Sequence, residues 1–364
     1  MMGVQSFLDK FWSPAVWLPP NVTWEDLEPT ADRPYADYRH LVFPLPMAVA
    51  MWLLRCLLEK HVFSHIGTRL GIRRQNSRVP EPNAALEKVY SVTKRPSSKE
   101  MNGLCKQLDM TERKIDRWFR LRNAQDRPST LVKFCESAWR CLYYSSSFLF
   151  GLCCLWDKPW LADIDDCWRD YPFQPVTGDC WWYYMVSLAF YWSLTISQFT
   201  DVHRKDFWQM FVHHLTTISL LSLSWVCNAH RIGTLVLLVH DCADILLELT
   251  KMAKYAGRQL ACNLLFVLFA LLWVATRVGV YPFWILHSTT IGAEEFVHMF
   301  PAYYIFNSLL FVLLFLHVIW TCIILKLACK FAFAGQVERD LRSSSEGTGE
   351  EEDFNSENCT KNSS

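Results

Sequence analysis

The segment from Arg231 to Glu248 reads RIGTLVLLVHDCADILLE and decides how the rest of the chain is interpreted. Most of it is apolar enough to lie in a bilayer, yet it contains Asp241, Asp244 and Glu248. A central Asp costs roughly 2.5–3.5 kcal/mol on insertion, so it persists where a wet cavity or a partner stabilises it. On a helix the three carboxylates stand at i, i+3 and i+7 and form one acidic stripe. We therefore predict a polar site inside a membrane.

The composition of the whole chain supports a membrane protein. Its 364 residues are 51% hydrophobic and include 17 Trp and 24 Phe, which is too apolar and aromatic for an ordinary soluble protein. We predict an all-α, polytopic membrane protein with about seven transmembrane helices. The predicted spans are residues 41–59, 137–156, 181–200, 208–228, 231–249, 262–286 and 303–327. The first is the least regular, because Pro44, Pro46 and Arg55 interrupt it.

The charges of the loops predict the orientation. Residues 59–133 hold 17 Lys/Arg against 8 Asp/Glu, whereas residues 157–180 hold six Asp against two basic residues. Basic loops stay in the cytosol, so we expect a lumenal N-terminus and a cytosolic C-terminus. Asn21 lies in an N-glycosylation sequon on the lumenal side. Residues 1–20 show no continuous apolar core of a signal peptide.

The 14 cysteines do not indicate a disulfide framework, because most lie in predicted spans or cytosolic segments. Cys167 and Cys180 share the lumenal loop. Two free thiols are favoured there over a pair.

A small cytosolic insert separates the first two spans. Helix-start signals predict three short helices in it, over residues 84–92, 99–108 and from Glu112 to the residues before Pro128. The last contains WFRLRN (118–123) and resembles the latter part of a homeodomain. Leu121 stands where that family has its adenine-reading Asn, and the basic N-terminal arm is missing. We interpret the insert as a lid or positioning domain and expect no sequence-specific DNA binding.

His213-His214 in the preceding span is a second polar feature. At about 1.5 Å per residue, His213 and Asp244 both lie roughly 8 Å below the cytosolic face and Asp241 about 12 Å below it. His is the usual general base, and an Asp beside it fixes the tautomer. Packing or helix–helix hydrogen bonding is the alternative, and it is favoured for His240. A metal site has acceptable ligand types, but the multiple-histidine boxes of di-iron oxidases are absent, so no metal is predicted.

The decisive segment, FTDVHRKDFWQMFVHHL (199–215), FWSPAVWLPPNVTW (11–24), RPSTLVKFCESAWR (127–140) and the insert together resemble ceramide synthases of the TLC (TRAM, LAG1, CLN8) superfamily. The resemblance covers nearly the whole chain. It implies a TLC-type helical barrel that transfers a fatty acyl group from acyl-CoA to sphinganine or sphingosine in the endoplasmic reticulum membrane. The implied parts are a lumenal segment (1–40), a first transmembrane helix (41–59), the insert (66–128), a catalytic membrane domain (131–332) and a disordered acidic tail (333–364).

The resemblance also implies roles for single residues. His213 takes the acyl group and His214 assists, while Asp241 and Asp244 orient the histidines; direct attack of the amine is the alternative. The candidate substrate-binding residues are Arg204, Lys205, Glu248, Trp284 and Ile291. Arg204 and Lys205 are suited to CoA phosphates, with a solvated turn as the alternative. No cofactor is expected, since acyl-CoA is a substrate. The functional form is expected to be a homo- or hetero-dimer of ceramide synthases.

Two further expectations concern chain length and the tail. The stretches 166–175, 197–207 and 277–286 resemble the palmitoyl-preferring branch of the family, although the loop 287–300 diverges from it. Ser343 and Thr348 precede acidic residues at the spacing that acidophilic kinases favour, so they are predicted phosphorylation sites; an unmodified tail is the alternative. A non-enzymatic lipid sensor, carrier or chaperone and a membrane-tethered transcription regulator are the competing classes.

Overall fold

The computed structural model describes residues 9–72, 79–126, 128–202 and 204–334, and these are helical without a β-strand. The longer helices are α1 (Pro44–Leu58), α2 (Ala84–Val92), α3 (Ser98–Leu108), α4 (Glu112–Asp126), α5 (Thr130–Leu155), α6 (Gly178–Ser197), α7 (Phe207–Val226), α8 (His230–Tyr255), α9 (Gln259–Trp273) and α10 (Pro301–Ala334). Wider π-helical turns extend α1 (Glu59–Phe63, then α-helical Ser64–Arg69) and α9 (Val274–Leu286 and Ser288–Gly292). Short helices occupy Pro14–Trp17, Glu25–Leu27, Tyr38–Val42, Pro159–Ala162, Ile164–Cys167 and Ala293–Phe296. The predicted tail sites Ser343 and Thr348 lie outside the described residues.

Six helices form a closed ring in which each contacts the next. The order around the ring is α5, α6, α7, α10, α9 and α8, and α8 returns to α5. Helix α1 lies outside this ring and packs against α6. The all-α helical barrel predicted from the sequence is therefore confirmed.

Among the described residues, three helical stretches are long and apolar enough to cross a membrane by length and composition alone, namely Tyr38–Arg69, Gln259–Phe296 and Pro301–Ala332. Helices α5 to α8 coincide with the other four predicted spans. They carry more polar side chains, several of which face the interior of the ring. A helix of 20 residues such as α6 spans about 30 Å, the thickness of a bilayer core. The count of seven spans stays a prediction.

The start of the first span differs from the sequence-based expectation. Pro44 and Pro46 lie in the first turn of α1, where backbone N–H groups have no partner within the helix, so they begin the helix and do not interrupt it. Arg55 lies within α1 and is buried in the protein, where Glu59 and Asp201 each pair with its guanidinium at 2.7 Å. Two carboxylates thus compensate the positive charge of Arg55, so this residue does not interrupt the helix as the sequence suggests.

The insert forms the three predicted helices, α2 to α4, around its own core. The Asn83 side chain accepts hydrogen bonds from the first N–H groups of α2, and Ser97 forms a capping box with Glu100 at the start of α3. These caps are the signals that the sequence displays, which explains why the predicted starts agree with the structure.

Polar residues of α4 make contacts within the insert. Arg122 pairs with Glu87 at 2.8 Å, and the Asn123 amide donates to the carbonyl of Lys94 at 3.0 Å. Burial, together with a hydrogen bond to Asp126, raises the pKa of Tyr90 to about 12. Arg122 and Asn123 are thus held by contacts within the insert, whereas Arg113, Lys114, Arg117 and Arg120 of α4 are exposed.

We predict that Gly233→Ala destabilises the ring. An added Cβ would lie 1.8 Å from the hydroxyl oxygen of Tyr184, which is itself held by Ser224 at 2.6 Å. Overpacking of this kind costs about 1–3 kcal/mol, so the thermal unfolding temperature of the detergent-purified protein should fall.

Gly178→Ala is the matched control, because a Cβ at this first residue of α6 meets nothing within 4 Å. Equal unfolding temperatures for the two variants would show that α8 and α6 do not approach as closely as described.

Candidate active site

The two histidines lie side by side on α7 but in different surroundings. His214 is buried, and its Nδ1 lies 3.1 Å from Oε1 of Gln198. The Gln198 amide nitrogen donates to the carbonyl of Phe207 at 2.7 Å, so its oxygen is the acceptor and His214 Nδ1 carries the proton. Nε2 of His214 is therefore left with a lone pair. Gln198 holds this histidine in the tautomer of a proton acceptor.

His213 is partly buried between aromatic rings. Its ring centroid lies 5.5 Å from that of Trp320 and 6.3 Å from that of Tyr191, both in edge-to-face geometry. Its Nδ1 is buried, with no hydrogen-bond partner among the residues that the structure describes. An imidazole nitrogen without a protein partner is available to a reacting group.

The predicted acidic stripe divides among three environments. Asp241 is buried and accepts a hydrogen bond from Ser147 of α5 at 2.6 Å. Asp244 is half-buried and lies on a cavity wall, whereas Glu248 is buried and pairs with Lys251 at 2.7 Å. Asp241 thus contacts a serine hydroxyl in place of the histidine expected from the sequence, because neighbouring positions on α8 face different helices.

The sequence-based assignment missed Arg277. This residue is 2% exposed, on the π-helical extension of α9, and stacks over Trp273 at 5.1 Å. Its guanidinium donates to the carbonyls of Val239 and His240 at 2.8 and 2.7 Å and to Asp244 at 3.4 Å. A charged residue inside an apolar span is a functional-site signal in its own right, and this one was available in the sequence.

A second histidine pair lies deeper in the ring. His240 donates through Nδ1 to the carbonyl of Val236 at 2.6 Å, so its Nε2 accepts from Nε2 of His317 at 3.2 Å. This contact joins α8 to α10 and is the helix–helix hydrogen bond that the sequence favours for His240. No feature of the sequence pairs it with His317 in advance.

Two cavities meet inside the ring, next to His240. A polar cavity is lined by both residues of the His213-His214 pair, by Asp244 and Arg277, and by Arg140, Arg204, Glu248 and Lys251. An apolar cavity extends from it toward Trp168, Tyr303 and Phe300. Tyr191 and His240 line both cavities. His213 and His214 therefore lie on the wall of the polar cavity, and the apolar cavity begins at Tyr191, whose ring contacts both of them.

The predicted substrate-binding residues are distributed unequally. Arg204 and Glu248 line the polar cavity, while Lys205 is exposed and does not. Trp284 packs among core side chains, and Ile291 is 56% exposed; neither lines the apolar cavity. The loop before α10 does reach that cavity, through Thr289, Ala293, Val297, Met299 and Phe300. The segment around Ile291 therefore lines the apolar cavity, but through residues other than Ile291, since only one face of its helical turns points toward the cavity.

The predicted glycosylation residue Asn21 is exposed, in the segment between Pro14–Trp17 and Glu25–Leu27. Its side chain is accessible to a modifying enzyme. Asp26 of the same segment accepts hydrogen bonds from the backbone and hydroxyl of Thr23, both of which lower its pKa.

Comparisons with known proteins agree with this architecture. A ring of membrane helices around buried histidines defines a TLC-type membrane protein, and the model of the TLC domain family matches residues 133–326. A homeodomain model matches residues 73–128. Ceramide synthase 5 of Homo sapiens is 46% identical over 352 residues, covering 96% of this chain and 89% of that protein.

Two other relatives are ceramide synthase 3 of Mus musculus and the ceramide synthase hyl-1 of Caenorhabditis elegans. They are 40% and 35% identical and cover 94% and 92% of this chain, and 89% and 84% of their own lengths. The chain belongs to the ceramide synthase family.

We predict that Arg277→Leu lowers the free energy of unfolding by about 3 kcal/mol, because it leaves the half-buried Asp244 carboxylate without its guanidinium. The variant that also carries Asp244→Asn should recover part of this loss. Thermal unfolding in detergent measures both.

Arg258→Leu is the control, since Arg258 is exposed at the start of α9. If the Arg277 and Arg258 variants unfolded at the same temperature, the buried guanidinium would not hold the ring together.

Proposed function

We propose that this chain transfers a fatty acyl group from acyl-CoA to the amine of sphinganine or sphingosine, forming (dihydro)ceramide. The observation that supports this most directly is that the polar cavity lined by His213 and His214 meets an apolar cavity at Tyr191 and His240. An acyl-CoA has a charged head and an apolar tail, so its thioester carbon belongs at such a junction. The activity that names the relatives, ceramide synthesis, is the same chemistry.

The charged mouth suits the CoA head group. Arg140 and Arg204 line it, and each lies beside a carboxylate: Arg140 pairs with Asp201 at 2.9 Å and Arg204 with Glu136 at 4.0 Å. Guanidinium groups bind phosphate oxygens in a bidentate manner, so phosphates would replace these contacts. Lys205, exposed next to Arg204 in the chain, adds positive charge outside the cavity.

The first chemical step is acyl transfer to His213. A ring nitrogen of His213 attacks the thioester carbon, the new C–N bond forms, the C–S bond breaks, and the CoA thiol leaves with the proton that the imidazole loses. The tail then lies in the apolar cavity, and the reactive carbonyl stays beside the second histidine. Water is kept from the acyl group by the aromatic rings of Trp320 and Tyr191 around His213.

The second step is attack of the sphingoid amine on the acyl carbon. The C–N bond to His213 breaks as the amide forms, and the amine must lose a proton. His214 is suited to accept this proton and to pass it to the departing nitrogen of His213, because Gln198 holds the proton of His214 on Nδ1 and leaves its Nε2 basic. His213 thereby returns to its starting state. A sphingoid amine is largely protonated at neutral pH, so a base at this place is required.

The acidic residues play different parts in this scheme. Asp244, fixed by Arg277, lines the cavity and offers a negative charge to the incoming ammonium group. Asp241, buried against Ser147, acts by holding α8 against α5. We propose both as positioning residues, and we propose that the reaction uses no metal ion or cofactor.

Location and assembly complete the proposal. The polar mouth faces the cytosol, where acyl-CoA is found, and Asn21 faces the lumen of the endoplasmic reticulum and carries a glycan. The basic insert then lies on the same side as the mouth. We propose a dimer with another ceramide synthase subunit as the functional form.

We predict that His213→Ala abolishes ceramide formation by the purified protein while leaving its thermal unfolding unchanged. Loss of the nucleophile should reduce turnover by at least about 10²- to 10⁴-fold. In wild-type protein, acyl-CoA without amine should leave one acyl adduct on His213, detected by intact and peptide mass.

The control is His298→Ala, because His298 is an exposed histidine on the loop before α10. Near-normal turnover by a folded His213→Ala protein would exclude this residue from the chemistry. Wild-type protein that forms ceramide in a single turnover but never shows an adduct would favour direct attack of the amine.

We also propose that the chain prefers palmitoyl-CoA. Sixteen carbons extend roughly 20 Å at about 1.25 Å per methylene. If the reaction takes place in the cytosolic half of a ~30 Å bilayer core, the distance from the site to the lumenal face is close to this length. The apolar cavity runs in this direction, toward Trp168 and Phe300. The sequence stretches that resemble the palmitoyl-preferring branch give independent support.

The cavity wall gives a specific prediction for chain length. Ala293 is buried and lines the apolar cavity, so Ala293→Leu should shorten it and lower turnover with palmitoyl-CoA about tenfold relative to myristoyl-CoA. Competition among myristoyl-, palmitoyl-, stearoyl- and behenoyl-CoA measures the preference.

Ile291→Leu, two residues away and exposed, should keep the wild-type preference. An unchanged preference in Ala293→Leu would place the chain end elsewhere, and a wild-type preference for behenoyl-CoA would reject the palmitoyl assignment.

A further inference from the structure

Two cysteine side chains meet where α5 ends and α6 begins. The sulfur atoms of Cys154 and Cys180 lie 3.6 Å apart, and both residues are buried. Cys180 is therefore next to a cysteine of α5, whereas the sequence points to Cys167 as a neighbour in the same loop and favours two free thiols there. We propose that Cys154 and Cys180 form a disulfide bond on the lumenal side of the membrane, an inference that rests on the orientation proposed above.

The backbone around the pair brings the two helices close together. A Cβ on Gly151, one turn before Cys154, would lie 2.6 Å from the ring of Tyr183, one turn after Cys180. The ends are also tied by an ion pair between Lys158 and Asp179 at 3.2 Å. A disulfide needs sulfurs about 2.05 Å apart, so rotation of the two side chains suffices and the backbone need not move far.

The local charge favours the reaction at Cys180. This residue lies in the first turn of α6, whose N-terminus stabilises a thiolate, and Lys158 is close to the same turn. The oxidant is a disulfide-bearing protein or oxidised glutathione, which the oxidising side of the membrane supplies.

Bond formation proceeds by thiol–disulfide exchange. The Cys180 thiolate attacks one sulfur of the oxidant, whose other sulfur leaves as a thiol. The Cys154 thiolate then attacks the Cys180 sulfur and releases the oxidant's second thiol. One S–S bond is formed and one is broken, and the two cysteine protons end on the reduced oxidant.

The bond would close the lumenal loop that covers the apolar cavity. Trp168 and Tyr171 belong to the segment between the two cysteines, and both line that cavity. A covalent closure at the base of this loop removes freedom from the unfolded chain and holds the loop over the chain end. The disulfide thus stabilises the end of the cavity that is farthest from the histidines.

A metal ion is the alternative occupant, since Cys154, Asp179 and Cys180 place ligand atoms within 4.8 Å of one another. Structural zinc sites in proteins use four ligands. Here the Asp179 carboxylate already binds Lys158 and the backbone N–H of Cys180. The three groups therefore suit a dithiol better than a zinc site.

Peptide mapping of the full-length protein tests the proposal. Membranes are denatured without reductant, free thiols are alkylated, and the digested protein is analysed by mass spectrometry before and after reduction. We expect a linked peptide containing Cys154 and Cys180 that disappears on reduction, with exposed Cys153 alkylated throughout. Alkylation of Cys154 and Cys180 without reduction, or one zinc ion per chain that Cys154→Ser abolishes, would overturn the disulfide.

Two further measurements keep the result interpretable. Reductant should lower the unfolding temperature of wild-type protein and of Cys153→Ser but not that of Cys154→Ser; an equal effect on all three would contradict the proposal. Removal of a glycan from Asn21 reports orientation independently. Free thiols in glycosylated protein would reject the disulfide while leaving the topology and the proposed activity intact.

Discussion

The buried guanidinium of Arg277 is the contact on which the arrangement of the site depends. A charge inside a membrane bundle requires compensation, and here two backbone carbonyls of α8 and the Asp244 carboxylate provide it. These contacts fix the rotation of α8 relative to α9, and with it the direction in which Asp244 points. The π-helical geometry after Trp273 places Arg277 at this height. The same contacts that stabilise the ring therefore set the electrostatics of the polar cavity.

His240 and Tyr191 mark the boundary between the two cavities. His240 accepts one hydrogen bond from Nε2 of His317 in a fixed tautomer, so the pair places polar groups inside the ring. On one side of this boundary the walls carry arginines and carboxylates; on the other they carry aliphatic and aromatic side chains. A substrate with one charged and one apolar end is oriented by this gradient before any specific contact forms.

Local sequence signals predict local structure well in this chain, and contacts between helices poorly. Asn83 and Ser97 act within three residues, so the helix starts of the insert could be predicted. Helical periodicity also places Asp241 and Asp244 on one side of α8. Which helix each one faces depends on packing between distant segments, so the contact of Asp241 with Ser147 could not be predicted. Arg277 was predictable as a buried charge in an apolar span, whereas the pairing of Gln198 with His214 was not.

The first helix is part of the site although it lies outside the ring. The Asp201 carboxylate, on the connection between α6 and α7, accepts hydrogen bonds from Arg55 of α1 at 2.7 and 3.1 Å and from Arg140 of α5 at 2.9 Å. Asp201 and Arg140 both line the polar cavity. The mouth thus depends on a residue that precedes the TLC match at 133–326. A ring without α1 would leave Asp201 with the Arg140 cation and without that of Arg55, so α1 contributes to the charge balance of the polar cavity.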